Sequence, residues 1–162
     1  MDKKWREGES GIIYTTVKAE GITGEIWAER LDKGYRVNGR TRGVLYFAGF
    51  TTSKIGTVEV AILKGNSFKH RQTLQEALRI AEYHGLTKPE TDIACLLRSE
   101  FSDKEIRSMG FSRIVPVHNL SGHVLVVNTF ASCRMLEAIP CQGDSNWGLG
   151  VGFAFVKPKA EK

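Results

Sequence analysis

Along the first third of the chain, apolar and polar positions follow a strand-like pattern. Residues 11–19 (GIIYTTVKA) and 23–31 (TGEIWAERL) are rich in β-branched and aromatic residues and are parted by the turn-like Glu20-Gly21, which predicts two strands. Asn38-Gly39 stands between Gly34–Val37 and Arg40–Phe50. Both turn residues tolerate positive φ, so the pair predicts a type I′ hairpin. Residues 56–64 (GTVEVAILK) would complete a meander of about four or five strands.

The period then changes. Leu74, Ala77, Leu78 and Ala81 recur at i, i+3, i+4 and i+7 with polar residues between them. This predicts an amphipathic helix of about 16 residues, capped by Asn66 or Ser67 and stopped by Gly85. Residues 88–100 read either as a helix opened by Pro89 or as a buried strand through Ile93–Leu97. Ser102-Asp103-Lys104-Glu105 is a capping box for a short helix ending at Gly110. Strands are expected at 112–117 and 123–130, the first near an edge because of Pro116, with one or two helical turns over 131–138 and a last strand at 149–156. The expected fold is α+β: a single domain over 1–162, a mostly antiparallel sheet of about seven or eight strands on one long helix, plus one or two short helices. Segments 1–10 and 157–162 are expected to fray.

Composition narrows the class. The chain has 162 residues, 41% hydrophobic and 25% charged, which suits an ordinary soluble domain and disfavours disorder. No apolar run reaches a membrane span, and the charged Met1–Glu7 has no apolar stretch behind it, so neither a membrane anchor nor a secretory leader is expected. The three cysteines, Cys95, Cys133 and Cys141, are irregularly spaced, and reduced thiols in the cytoplasm are the reading. His118 and His123 with Cys133 and Cys141 lack compact zinc spacing, so no metal is expected. Neither a nucleophile elbow nor a cofactor fingerprint occurs, and no catalytic residue or cofactor is assigned. Glu25, Glu29 and Glu59 are placed on strands.

The net charge of +5 favours polyanions as partners. Two candidate sites follow. Lys64, Gly65, Asn66, Ser67, Lys69, His70 and Arg71 crowd the expected start of the long helix, where free N–H groups and the macrodipole attract anions. In the expected hairpin, Tyr35, Arg40, Arg42 and Tyr46 would share one sheet face, interleaving rings with guanidiniums as a stacking platform for nucleic acid. Trp147, among turn formers, is expected either to cover one end of the core, the favoured reading, or to present a flat surface to a ligand.

From 56 to 127, with 88–100 taken in its strand alternative, the order is strand, glycine-containing turn, long helix, strand, short helix, strand, strand, and the short helix closes on Arg107-Ser108-Met109-Gly110-Phe111. This resembles the second half of the GNAT-type acyltransferases. The resemblance implies acyl-CoA-dependent transfer, with the coenzyme's pyrophosphate held at Lys64–Arg71. The family's glycine-rich turn is absent, Gly65 being the only glycine there, and its two N-terminal helices have no counterpart in the pattern. The leading expectation is a non-enzymatic binding protein for a phosphate-bearing polyanion, most simply nucleic acid. An acyltransferase and a protein–protein assembly component stand as the alternatives.

Overall fold

The computed structural model describes residues 4–47, 49–69, 71–118, 122–130, 133–140 and 146–159. Among them, seven strands form one sheet: β1 (Trp5–Glu7), β2 (Ile13–Ala19), β3 (Gly56–Lys64), β4 (Arg113–Pro116), β5 (His123–Asn128), β6 (Met135–Pro140) and β7 (Val151–Val156). Their order is β1-β2-β3-β7-β4-β5-β6, and only the β4–β7 pairing is parallel. Five helices complete the α+β fold: α1 (Gly24–Leu31), α2 (Gly39–Leu45), α3 (Leu74–Tyr83), α4 (Asp92–Glu100) and α5 (Asp103–Ser108).

The helices cover the sheet from both sides. Trp27, Ala28 and Leu31 of α1, Leu45 of α2, Ile93 and Leu97 of α4 and Ile106 of α5 meet Ile13, Val60, Ile62, Ile114 and Leu125 on one face. On the other face α3 alone brings Leu74, Ala77 and Ala81 against Ala61, Leu63, Phe153 and Phe155. Central strands such as Val124–Val127 are therefore buried in both phases, as a two-sided sheet requires. Trp147 closes this second core, as expected. No helix among the described residues is long and apolar enough to cross a membrane.

Several expectations are corrected. Residues 24–31 are helix α1: Thr23 caps it by accepting from the Ile26 N–H, and the aromatic-rich run buries Trp27, Ala28 and Leu31, a helical spacing. Glu25 and Glu29 thus lie on a helix. Asn38-Gly39 is no hairpin. The Asn38 side chain accepts from the Thr41 N–H at 2.9 Å and caps α2, because asparagine serves as an N-cap as readily as a turn residue. Thr41 in turn accepts from the Ala138 N–H at 2.9 Å, which ties α2 to the edge strand β6. Residues 92–100 take the helical alternative. The helical turns expected over 131–138 give way at Met135–Pro140 to β6, whose Leu136 and Ala138 alternate into the core. Pro116 is interior rather than near an edge. It ends β4, its nitrogen facing β5 beyond the last paired residue, Ile114, while the next N–H, that of Val117, reaches Ala154 on β7. Residues 5–7, expected to fray, form β1.

Candidate functional site

The register of β2 determines which side chains the α3 side presents. Ile13, Val17 and Ala19 enter the core, so Tyr14, Thr16 and Lys18 face the other way, opposite Ala61, Glu59 and Thr57 of β3 and, for Tyr14, Arg6 of β1. Helix α3 covers Ala61 and Leu63 and goes no further, leaving Arg6, Thr16, Lys18 and Thr57 exposed. On this bare part of the sheet Tyr14 carries two cations, the Arg6 guanidinium 4.5 Å and the Lys157 ammonium 5.4 Å from its ring centre. Glu59 lies beside both, 3.4 Å from Arg6 and 3.9 Å from Lys157. Gly8 backs the ring so closely that a Cβ there would lie 2.6 Å from it, which fixes the ring against the backbone. A shallow depression of about 240 Å³ is lined by Arg6, Tyr14, Thr16 and Glu59.

The surface continues onto α3. Ile12, two residues before Tyr14, floors a cavity of about 180 Å³ that also touches Lys64, Ser67, Ile80 and His84. A neighbouring one of about 280 Å³ shares Ser67, Ile80 and His84 and adds Lys69, Arg79 and Tyr83. Tyr83 is 85% exposed and meets the His84 ring edge-on at 5.1 Å. The Arg79 guanidinium is held by Glu76 and its pKa is raised by that hydrogen bond and charge. Lys18 and Lys69 have no carboxylate partner among the described residues. Aromatic faces and cations thus alternate along one side of the molecule, an arrangement that can stack bases and neutralise phosphates together.

The first sequence-predicted cluster stands beside this cleft, but not as a helix N-terminus. Gly65–Ser67 is a single 3₁₀ turn, and α3 starts at Leu74 with Thr73 as its cap. A threonine hydroxyl and the acidic Glu76 therefore serve its first turn, in keeping with the dipole. Lys64 pairs with Glu7, while Asn66, Ser67, Lys69 and Arg71 are exposed, and His70 lies outside the described residues. Gly65 is buried, and a Cβ there would sit 2.8 Å from the Val151 carbonyl. Its lack of a side chain serves packing against β7 rather than ligand approach.

The second cluster does not share a sheet face. Arg40 and Arg42 lie on α2, Tyr46 is its exposed C-cap, and Arg42 pairs with Asp32. Tyr35 lies apart, beneath Arg134. The His118, His123, Cys133 set does not assemble either: no group of three metal-ligating side chains occurs among the described residues, and Cys141 lies outside them. Tyr14, Lys18, Tyr83 and Lys157 went unread, although the phase Tyr14, Thr16, Lys18 of the first long strand was legible as its solvent side. Compared with family models, curated proteins and solved structures, the chain matches none of them.

Proposed function

We propose that the α3-side face binds a phosphate-bearing polyanion, and that single-stranded nucleic acid is the form its chemistry fits best. The supporting observation is Tyr14, a half-buried aromatic ring with Arg6 and Lys157 within cation–π distance, on a part of the sheet beyond the reach of α3 among the described residues. A ring on a sheet stacks with a base only when that base is unpaired, so single strands are preferred to duplex. The flanking ammonium and guanidinium groups neutralise the phosphates on either side. Lys69, Tyr83 and His84 extend the same surface. Nothing in this reading requires bond making or breaking, and the protein acts as a binding protein.

The test is fluorescence anisotropy with labelled single-stranded and duplex oligonucleotides at low and at moderate salt. Single strands should bind tighter, and affinity should fall steeply as salt rises, since released counterions drive the association. Tyr14→Ala should weaken single-strand binding by about 1–3 kcal/mol, the worth of one stacked base, with little effect on duplex. Absence of binding to every oligonucleotide at low salt would end the proposal.

A further inference from the structure

On the opposite face of the sheet, away from Tyr14, two arginines converge on Tyr35, and a third, Arg36, is its chain neighbour. Arg36 joins the edge strand β6 through a one-residue bridge, its N–H donating to the Arg134 carbonyl at 3.3 Å while the Leu136 N–H donates to the Arg36 carbonyl at 3.2 Å. This pairing sets the Arg36 backbone beside that of Arg134, and the Arg36 guanidinium donates to Cys133 Sγ, next to Arg134 in the chain, at 3.9 Å. Arg134 holds a left-handed backbone at φ 50°, which residues with a Cβ rarely adopt, and the Asp103 carboxylate secures it by accepting its N–H at 3.0 Å. The Arg134 guanidinium lies 4.5 Å from the centre of the Tyr35 ring and donates to the Tyr35 hydroxyl at 3.1 Å. Arg98, wholly buried, also faces the ring, its guanidinium 6.0 Å from the ring centre. Arg98 engages Asp103 at 2.8 Å and the carbonyls of Phe101, Asn128 and Met135.

The Arg98 and Arg134 guanidiniums thus stand near one carboxylate, Asp103, which is already taken by Arg98 and the Arg134 backbone. Among the described residues no carboxylate pairs with Arg36 or Arg134. Burial lowers the Arg98 pKa, and the charge of Arg134 pushes the same way. A doubly charged anion at the exposed side of the cluster would remove that conflict. We infer that the corner formed by Arg36, Arg134 and Tyr35 is a binding site for a phosphate monoester, its dianionic group taken by the two guanidinium forks and the tyrosine hydroxyl. Guanidinium forks match phosphate oxygens in geometry, and a monoester's two charges match two arginines whose contacts, the Cys133 Sγ and the Tyr35 hydroxyl, carry no carboxylate charge, where a diester's single charge does not. The site is independent of the polyanion face, because Tyr35 packs on the core that α1, α2, α4 and α5 share with the sheet, whereas Tyr14 packs on the α3 core.

Isothermal titration of the full chain with phenyl phosphate, inorganic phosphate and diphenyl phosphate at low ionic strength tests this. Phenyl phosphate should bind, and Arg36→Gln and Arg134→Gly should each weaken it about tenfold, the loss of one charge-assisted contact. Arg134→Gly should keep the fold, because glycine adopts the left-handed backbone freely, and an unchanged or raised thermal midpoint without ligand checks that. Tighter binding of phenyl phosphate than of inorganic phosphate assigns the site to an organic monoester, and equal binding assigns it to the free ion. Diphenyl phosphate binding as tightly as phenyl phosphate, no heat from either monoester or inorganic phosphate at millimolar concentration, or unaltered affinity in both variants would overturn the inference. Tyr14→Ala should leave this binding untouched, so the two sites fail separately.

Discussion

His118 is 7% exposed, and neither ring nitrogen has a hydrogen-bond partner among the described residues. Burial lowers its pKa from 6.5 to about 4. Between those values the unfolded chain takes up a proton that the folded one refuses. Stability from this group is therefore complete above pH 6.5 and is lost as pH falls toward 4, by up to about 3 kcal/mol. His118→Phe should flatten that part of the stability–pH curve in urea melts at successive pH values, and an unchanged slope would refute the assignment. Asp92 acts oppositely, because burial raises its pKa against the opposing hydrogen bonds from Ser53, so the difference between parent and variant isolates the histidine. Gly65 gives a second residue-scale prediction. Since a Cβ would meet the rigid Val151 carbonyl, Gly65→Ala should cost about 1–3 kcal/mol of overpacking, visible as a lower urea midpoint. A tolerated alanine would show that the Val151 carbonyl can move aside and that packing does not require the glycine.

At the scale of elements, where a helix begins decides what its first turn can do. The apolar period of α3 was readable, but the period does not mark its own start: Asn66, Ser67 and Thr73 are all acceptable caps. The Thr73 hydroxyl accepts from the Glu76 N–H at 3.1 Å, so Thr73→Ala should cost about 1 kcal/mol and Ser67→Ala less than about 0.5 kcal/mol in chemical denaturation. The reverse ranking would restore the helix start at residue 67. Of the apolar face, Leu74, Ala77 and Ala81 are buried, and Leu78 is only partly buried. Ser102 and Glu105 form the capping box as read, each accepting the other's backbone N–H at 3.0–3.1 Å. The next residue, Asp103, does work no local pattern announces: it compensates Arg98, which is wholly buried. Asp103→Ala should destabilise by about 3–5 kcal/mol, because it strands a buried charge, whereas Arg42→Ala, breaking the exposed pair with Asp32, should cost under about 1 kcal/mol. Similar costs for the two in thermal melts would show that burial is not the deciding variable.

For the whole molecule, charge distribution matters more than the total of +5. If the α3-side face carries the polyanion, Lys18→Gln should lower the salt slope of binding by about one unit and weaken all sequences alike, as losing one phosphate contact does. Arg40→Gln, on the far side of α2, should leave the slope unchanged. Equal effects would mean diffuse attraction without a face. The resemblance to GNAT-type acyltransferases meets mixed structural facts. Two helices do lie between β2 and β3, where the pattern had shown none, yet residues 92–100 are a helix rather than a strand, and the loop 64–71 does not open α3. Millimolar coenzyme A should leave the thermal midpoint where it is, since a ligand at 100 times its dissociation constant would add about 2.7 kcal/mol.

By itself the sequence determined the α+β class, the strands at 13–19, 56–64, 113–116, 123–128 and 151–156, the capping box, and the helical face of residues 74–81. These depend on local periodicity and on side chains that bond within a few residues of themselves. Tertiary structure decided the rest. Residues 24–31 and 39–45 became helices because their buried side chains meet the sheet at helical spacing, which outweighs the strand preference of isoleucine, tryptophan and valine. Residues 135–140 became a strand because β5 offered an edge to pair with. The candidate site followed the same division: the cations and rings were visible one by one, but Arg6, Tyr14 and Lys157 stand at opposite ends of the chain. Only the order β1-β2-β3-β7 brings them onto one face, because pairing between distant strands, and no spacing along the chain, sets which side chains become neighbours.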